Sequence, residues 1–392
     1  ANEAAINNNV DCQRLALINF IGTTRDQEEG LPVVHKINNQ AFFSRVDFDL
    51  NNANHLSVSY NFDYSKNENQ TFDVPFYGNS ANGTEGPSKI NVIRANMFTT
   101  ISPTTLNEAH FSYSRELRPR NAVESNVPAD TAIGIDAENA FRFGFPFFLE
   151  PNVDELLWRT QVKDNFSIVK GDHNLKFGGE WLHTLNDQVF RGFFTGRYIF
   201  SSTTGFLRYA STPAANGFGP SAAQCFAANG SFTGWITPAA PFNQTCPVGS
   251  SVGGVPPLLL YLQNGIPTGI SGAPPPGASK IKNEDLALFA QDRWQIRPGF
   301  TLNYGLRWEA QIFPEPVISP SQTVYASLLS NPAFPSDGTL HSPKKQFQPR
   351  LGFAWDISNQ GKSVLRAHAG MYYGRQNMLS QVGSITDNGV LQ

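Results

Sequence analysis

Apolar and polar side chains alternate along much of this chain, and the alternation is clearest near its beginning. Between residues 45 and 50 the apolar set is Val46, Phe48 and Leu50, and the charged set is Arg45, Asp47 and Asp49. The same alternation continues over 55–64, after four turn-type residues. Period-two alternation is typical of a β-strand with two different faces. Two such runs around a short polar turn therefore predict an antiparallel hairpin.

This hairpin unit recurs four more times, so the sequence predicts ten strands. They are Phe43–Leu50, His55–Tyr64, Lys89–Thr100, Leu106–Glu116, Leu156–Val169, Asn174–Leu185, Glu284–Ile296, Phe300–Ala310, Gln348–Ile357 and Val364–Arg375. Most of these runs have 10 to 13 residues, whereas strands of soluble proteins usually have about 5–6. A tilted β-strand that crosses a membrane needs about 9–11 residues. The lengths therefore favour membrane-spanning strands.

The connections between the predicted strands alternate between short and long. Turns within the hairpins have 3 to 6 residues, and the links between hairpins have 24 to 98 residues. This alternation is typical of outer-membrane barrels, and uncovered loops above about 12–15 residues are uncommon in compact soluble domains. We therefore expect an all-β fold: an antiparallel up-and-down meander of about ten long strands, part of a larger transmembrane β-barrel with long extracellular loops.

The predicted strands divide the chain into three parts. Residues 1–42 are expected to form a loop that precedes the first strand. It contains a short helix over Asp11–Ile21, where apolar residues follow an aspartate cap at helical spacing. Residues 43–375 are the partial barrel, and residues 376–392 begin a further loop.

Composition excludes several other classes of protein. The 33 glycines and 27 prolines are too many for a helix-rich enzyme. A net charge of −3 gives no basic excess to neutralise phosphates, which argues against nucleic acid as a partner. No run of eighteen apolar residues occurs, so a transmembrane helix is not predicted.

No motif in the sequence predicts catalysis, a metal site or a cofactor. Residues 249–253 match G-x-S-x-G, but they lie in a Gly- and Pro-rich stretch, whereas that nucleophile motif requires a strand before it and a helix after it. Neither H-E-x-x-H nor C-x-x-C occurs, and the seven histidines are scattered without ligand spacing. We therefore expect no enzymatic activity.

The charged face of the alternating strands is the first candidate site. In a membrane barrel the apolar face meets lipid and the charged face lines a wet lumen, the reverse of a soluble sandwich. The candidate lumen-facing residues are Arg45, Asp47, Asp49, Asn61, Asp63, Arg307, Glu309 and Arg350. Aromatic residues near strand ends, such as Trp294 and Trp308, favour the membrane because they form interfacial girdles there.

Two features of the predicted loops are further candidates. Phe143, Phe145, Phe147 and Phe148 lie close together within 141–151 and could contact a ligand, although large apolar loop side chains more often bury themselves. Cys225 and Cys246 both lie in the longest loop, which faces the oxidising cell exterior in this topology. A disulfide between them is therefore expected, and two unrelated thiols remain the alternative.

One hairpin resembles those of TonB-dependent outer-membrane receptors. Within residues 286–309 it carries Gln291-Asp292-x-Trp294, followed by Leu302-Asn303-x-Gly305-Leu306-Arg307. Residues 45–47, 177–180 and 349–355 are similar to the Oar-like branch of that family. The resemblance implies a plugged barrel in the bacterial outer membrane that binds and imports a bulky ligand. The lipid bilayer and, through the plug region, the TonB complex are the implied partners.

Large transporters of this kind close about 22 strands around a plug, whereas ten strands and no plug or TonB-contacting segment are visible here. We therefore interpret the chain as an internal portion of a longer receptor barrel. Two alternatives remain open at this point. One is an adhesin or structural surface protein that acts through its long loops, and the other is a complete ten-stranded barrel enzyme with carboxylate or histidine residues at its mouth.

Overall fold

A computed structural model gives the fold of the chain. It describes residues 10–19, 22, 32, 34–70, 83–122, 130–133, 141–143, 152–189, 197–200, 224–229, 231–235, 248–252, 258–262 and 278–386. Within these ranges, two α-helices occur, α1 (Val10–Asn19) and α2 (Leu379–Thr386), with 3-10 turns at Pro320–Gln322 and Ala326–Leu328. No helix in the described ranges is both long and apolar enough to cross a membrane. Helix α1 overlaps the short helix that the sequence predicted over Asp11–Ile21.

The strands number eighteen over the same ranges. The first nine are β1 (Lys36–Asn51), β2 (Asn54–Gln70), β3 (Gly83–Ser102), β4 (Thr105–Leu117), β5 (Arg120–Ala122), β6 (Asp130–Ile133), β7 (Phe141–Phe143), β8 (Asn152–Lys170) and β9 (His173–Val189). The others are β10 (Arg197–Phe200), β11 (Gln224–Ala227), β12 (Phe232–Trp235), β13 (Ser250–Val252), β14 (Leu258–Leu262), β15 (Ala278–Arg297), β16 (Phe300–Ile312), β17 (Gln346–Asp356) and β18 (Val364–Gly370).

Ten of these strands form one antiparallel meander. Its order is β1-β2-β3-β4-β8-β9-β15-β16-β17-β18, and the short β5 bridges β3 and β8 at one edge. The ten are those that the alternation predicted, and each pairs with its neighbours in sequence, so the all-β meander is confirmed. Among the described residues the sheet does not close on itself, as expected of part of a larger barrel.

Several strands are longer than the sequence predicted. β1 begins at Lys36 rather than Phe43, and β2 continues to Gln70 rather than ending at Tyr64. The added residues 65–70 are polar at every position, so they lack the alternation by which a strand is recognised. A 20-residue strand such as β15 spans about 66 Å, well beyond a hydrocarbon core of about 30 Å. The strands therefore extend out of the membrane into water, where both faces can be polar.

Strand register separates two faces of the sheet. One row of paired residues is Asp47, Ser57, Asn96, His110, Lys163 and Glu180. The adjacent row is Val46, Val58, Ala95, Phe111, Val162 and Trp181. Because successive side chains of a strand point to opposite sides, these rows define a polar face and an apolar face.

Burial on the two faces is the reverse of that in a water-soluble sheet. On the apolar face Val46 is 53% exposed and Leu288 is 59% exposed. On the polar face Ser57 is 4% exposed and Gln348 is 2% exposed. Exposing large apolar side chains to water costs about 25 cal/mol per Å², and a lipid environment removes that cost. The structure therefore supports an apolar face that meets lipid.

We expect paramagnetic probes to separate the two faces in the reconstituted barrel. Spin labels at Val46 and Val58 should be relaxed by oxygen, which concentrates in lipid, because both side chains lie on the apolar face. Labels at Asp47 and Ser57 should instead respond to a water-soluble nickel complex. Continuous-wave power saturation measures both responses, and labels at Val46 and Val58 that respond only to nickel would reject the assignment.

Two small sheets lie in the loops, outside the meander. Their orders are β14-β10-β6-β7 and β12-β11-β13. The ten long strands pair only in antiparallel orientation, as predicted. In the first small sheet, however, β10 pairs in parallel with β6. The sequence did not predict these sheets because strands of 3 to 5 residues are too short to show a period-two pattern.

Candidate functional site

The polar face carries a network of ion pairs centred on Glu180 of β9. Its carboxylate accepts hydrogen bonds from Gln161 at 2.9 Å, from Arg375 at 3.2 Å and from Arg307 at 3.3 Å. The Glu180 side chain is 13% exposed and that of Arg307 is 19% exposed. A carboxylate so deeply placed needs such donors, because an unpaired charge in a poorly solvated position is costly.

Small and charged residues alternate across β9, β15 and β16 so that this network can form. Ala287 of β15 stands between Glu180 and Glu309 in the register. Its short side chain leaves space for the Arg307 guanidinium, which reaches Glu180 and also donates to Glu309 at 2.7 Å. Gln348 of β17 donates to the other Glu309 oxygen at 2.6 Å. The network thus joins four strands.

The segment that follows β18 is bound to the same face. We call residues 371–386 the crossing segment. Beyond Arg375, the backbone N–H of Gln376 donates to the Gln311 side chain at 3.1 Å, and that side chain donates back to the Gln376 carbonyl at 3.0 Å. Its helix α2 accepts a hydrogen bond at the Ile385 carbonyl from Val317 in the β16–β17 loop. The crossing segment therefore fastens this loop to the sheet.

A cavity of about 630 Å³ opens on the polar face of β15 to β18. We call it the basic cavity. Its cationic lining residues are Lys163, Arg293, Arg307, Arg350 and Arg366, with His368 beside them. The Arg350 guanidinium lies 4.7 Å from the centre of the Tyr372 ring, in the crossing segment. This contact is a cation–π interaction, which holds the guanidinium in place.

Most cations of the basic cavity lack an acidic partner. Arg307 is engaged by the ion network, but Lys163, Arg293 and Arg366 make no ion pair and no side-chain hydrogen bond with the part of the chain that the structure describes. The lining contains one acid, Asp292, which belongs to the apolar face and is hydrogen-bonded there to His173 and Tyr304. The cavity therefore carries uncompensated positive charge.

A second cavity of about 590 Å³ adjoins the first and shares Lys163 with it. Arg94 and Arg159 also line it, together with His110 and Glu116. His110 is held by the Asn96 side chain at 2.8 Å. Positive charge thus continues along the polar face from β3 to β18.

Polar clusters on the apolar face mark two levels of the sheet. At one level Trp181 and His183 contact Glu284 at 2.9 and 2.8 Å. At the other level Asp292 contacts His173 at 2.6 Å. Glu284 and Asp292 are eight residues apart on β15, or about 27 Å along the strand. At the strand tilt of about 35–45° in such barrels, this length corresponds to about 20 Å along the membrane normal, close to the height of the outward apolar band of about 25 Å.

All eight residues proposed as lumen-facing lie on the polar face, but the structure does not bring them together. Arg307, Glu309 and Arg350 belong to the network and the basic cavity. The other five belong to β1 and β2, several strands away. There Arg45 pairs with Asp47 at 2.8 Å. The one cation among these five residues, Arg45, is therefore matched by an acid within the hairpin.

Several residues of the site were not among those predicted from the sequence. Arg366 could have been predicted, because it alternates with apolar neighbours in β18. Lys163 and Arg293 lie in runs that are charged on both faces, so the pattern did not assign them a side. Glu180 follows two glycines, and Arg375 acts from outside the strand. No local pattern identifies these two as partners.

The remaining candidates fall largely outside the described residues. Phe143 ends β7, but its side chain and residues 144–148 lie outside them. Cys225 belongs to β11, whereas Cys246 lies outside the described residues, so the expected disulfide stays a prediction. No group of three or more His, Cys, Asp or Glu side chains suited to a metal ion occurs in the described ranges.

Comparison with known proteins gives one match to a family and several solved structures. Residues 7–390 match the family model described as outer membrane beta barrel domain. No curated protein matches significantly. Similar solved structures include the outer membrane transporter YddB from Escherichia coli, with 12% identity and a TM-score of 0.44 over 91% of this chain and 34% of that chain.

Two further structures are similar at comparable levels. The ferric preacinetobactin receptor BauA from Acinetobacter baumannii shows 10% identity and a TM-score of 0.43, over 87% of this chain and 40% of that chain. The ferripyoverdine receptor of Pseudomonas aeruginosa shows 10% identity and a TM-score of 0.42, over 83% and 34%. The chain thus spans 34% to 40% of the length of these proteins.

Proposed function

This chain belongs to the outer membrane beta barrel domain family and lies in the bacterial outer membrane, and from that premise we propose that it forms part of the wall of a TonB-dependent receptor of the Oar-like branch. The receptor binds a bulky ligand at the polar face, which lines its lumen, and imports that ligand across the outer membrane. The hairpin motif within 286–309 and the segments 45–47, 177–180 and 349–355 support this assignment by resemblance.

The observation that carries the proposal is the basic cavity beside the ion network. A wall that only anchored surface loops would need no ordered recess on its inner side. Here cations from β8, β15, β17 and β18 line one recess of about 630 Å³, within the range of about 300–1,000 Å³ that is usual for small-molecule sites. The recess is also next to the crossing segment, which binds the same face.

The same proposal names the partner that drives import. By resemblance, the TonB complex acts through a plug region that is absent from these residues, and the chain is an internal portion of the longer receptor barrel. We also propose a role in binding and transport rather than in catalysis. The two acids of the network are occupied by cationic or amide donors, so neither is placed as a general base.

Uptake by living cells tests the proposed function even though the ligand is unidentified. We expect a strain that lacks the gene to leave in the medium a compound that the parent strain depletes. A protonophore should abolish depletion by the parent strain, because import through this class of receptor is energised from the inner membrane. Mass spectrometry of the spent medium measures the difference, with a strain carrying the restored gene as the control.

The adhesin alternative predicts a different result in the same strains. If the spent media are identical while attachment of the mutant cells to surfaces is lost, the import proposal is wrong and the loops carry the function. Depletion that resists the protonophore would also contradict a TonB-driven receptor.

A further inference from the structure

We propose that the basic cavity binds a small polyanion that carries clustered oxyanion groups, either phosphates or carboxylates. This inference rests on the proposed function, because it names the chemical class of the ligand that the receptor takes. The inference is based on the charged side chains of the cavity wall and on the strand register that positions them.

Five strands contribute cations to the lining of one recess. Gly305 of β16 pairs with Arg350 of β17, and Gly352 of β17 pairs with His368 of β18. Both glycines lie on the polar face, between the cationic side chains, so no side chain fills the recess at these two positions. A Cβ at Gly305 would lie 2.8 Å from the Ala290 carbonyl oxygen, which keeps this position free of a side chain.

The charges on the cavity wall are unbalanced, unlike those of the first hairpin. There the guanidinium of Arg45 lies beside the Asp47 carboxylate at 2.8 Å. In the basic cavity, Arg293 and Arg366 have no such partner among the described residues. Like charges that share a recess repel each other, and an anion of several charges removes that repulsion.

The donors also suit oxyanions in their geometry. A guanidinium presents a planar fork of N–H donors that matches carboxylate and phosphate oxygens. The Arg350 fork is held by the Tyr372 ring and donates to Gln348 at 3.2 Å, so it is oriented before a ligand arrives. Lipid headgroups are excluded as the source, because the cavity opens on the face opposite the lipid-facing one.

Calorimetric titration of the complete receptor that contains this chain, purified in detergent, tests the inference with two probes, tripolyphosphate and citrate. We expect saturable binding of at least one probe, and the pair distinguishes phosphate from carboxylate recognition. The double variant Arg293→Gln/Arg366→Gln should raise the dissociation constant of that probe about tenfold or more. It removes two charge-assisted hydrogen-bond donors, and the loss of each should raise the dissociation constant several-fold. Both arginines are exposed and unpaired within the described residues, so their replacement should leave folding unchanged.

The double variant Lys344→Gln/Lys345→Gln provides a matched control. It removes the same charge from the β16–β17 loop, outside the cavity, and should bind as the wild type does. The inference is overturned if neither probe binds saturably, or if the two double variants weaken binding equally. Depletion of a neutral or cationic compound in the uptake experiment would also overturn the polyanion inference, but it would leave the import proposal intact. Failure of the inference can therefore be distinguished from failure of the proposed function.

Discussion

Replacement of Gly178 by alanine is expected to prevent native pairing of β9 with β8 and β15. A Cβ at this position would lie 2.2 Å from the Asp164 carbonyl oxygen and 2.9 Å from the Phe289 ring. The oxygen belongs to the backbone of the neighbouring strand, so it cannot rotate away. Overpacking usually costs about 1–3 kcal/mol and occasionally more, and we expect at least the upper end here because the backbone itself must shift.

The adjacent glycine supplies a matched control for this replacement. A Cβ at Gly179 would meet the end of the Leu288 side chain at 3.1 Å, and one at Gly374 would meet nothing within 4 Å. Alanine at either position should therefore be tolerated. The fraction of protein that migrates as the folded, heat-modifiable form in outer-membrane extracts measures the effect. Equal folded fractions for the Gly178 and Gly179 variants would show that the close approach is not limiting.

Replacement of Glu180 by alanine is expected to lower the free energy of unfolding by about 2–3 kcal/mol, somewhat less than the ~3–5 kcal/mol typical of breaking a buried ion pair. The change removes the shared acceptor of Gln161, Arg307 and Arg375. The loss is moderated because Arg307 keeps its contact with Glu309. Chemical denaturation in detergent, followed by tryptophan fluorescence, measures this difference.

The Glu68→Ala variant is the control for the network. Glu68 pairs with Lys66 and Lys36 at the end of β2, and its side chain is more exposed, at 30%. Such surface pairs contribute about 0–1 kcal/mol, so little change is expected. Equal losses for the Glu68 and Glu180 variants would contradict a special role of the network.

Limited proteolysis gives a second readout for the Glu180 variant. Without Glu180, the crossing segment loses the closest ion pair of Arg375, so trypsin should cleave after Arg375 faster than in the wild type. Cleavage after Lys362, in the exposed turn between β17 and β18, should be unchanged. An unchanged rate at Arg375 would show that the ion pair does not hold the crossing segment on the sheet.

The sequence alone determined the five hairpins of the long strands. Each hairpin is closed by a turn of 3 to 6 residues, which places its two runs side by side in antiparallel orientation. The pairing of one hairpin with the next, across links of 24 to 98 residues, followed from the barrel layout that these lengths indicate. Alternation also determined which side chains share a face, because the strand period is two. These properties are local, and for that reason residues such as Val46 and Asp47 could be assigned to opposite faces before any contact was known.

Tertiary structure alone decided which members of the polar face form the site. Glu180 and Arg375 are 195 residues apart in the chain, and their contact depends on the crossing segment, which has no strand pattern. Arg293, Arg350 and Arg366 come from three separate strands and line one cavity because the register between those strands sets them at neighbouring heights. A period-two pattern gives the face of a residue but not its height relative to residues on other strands. Register provides that height, and it is set by packing and turn geometry across the whole sheet.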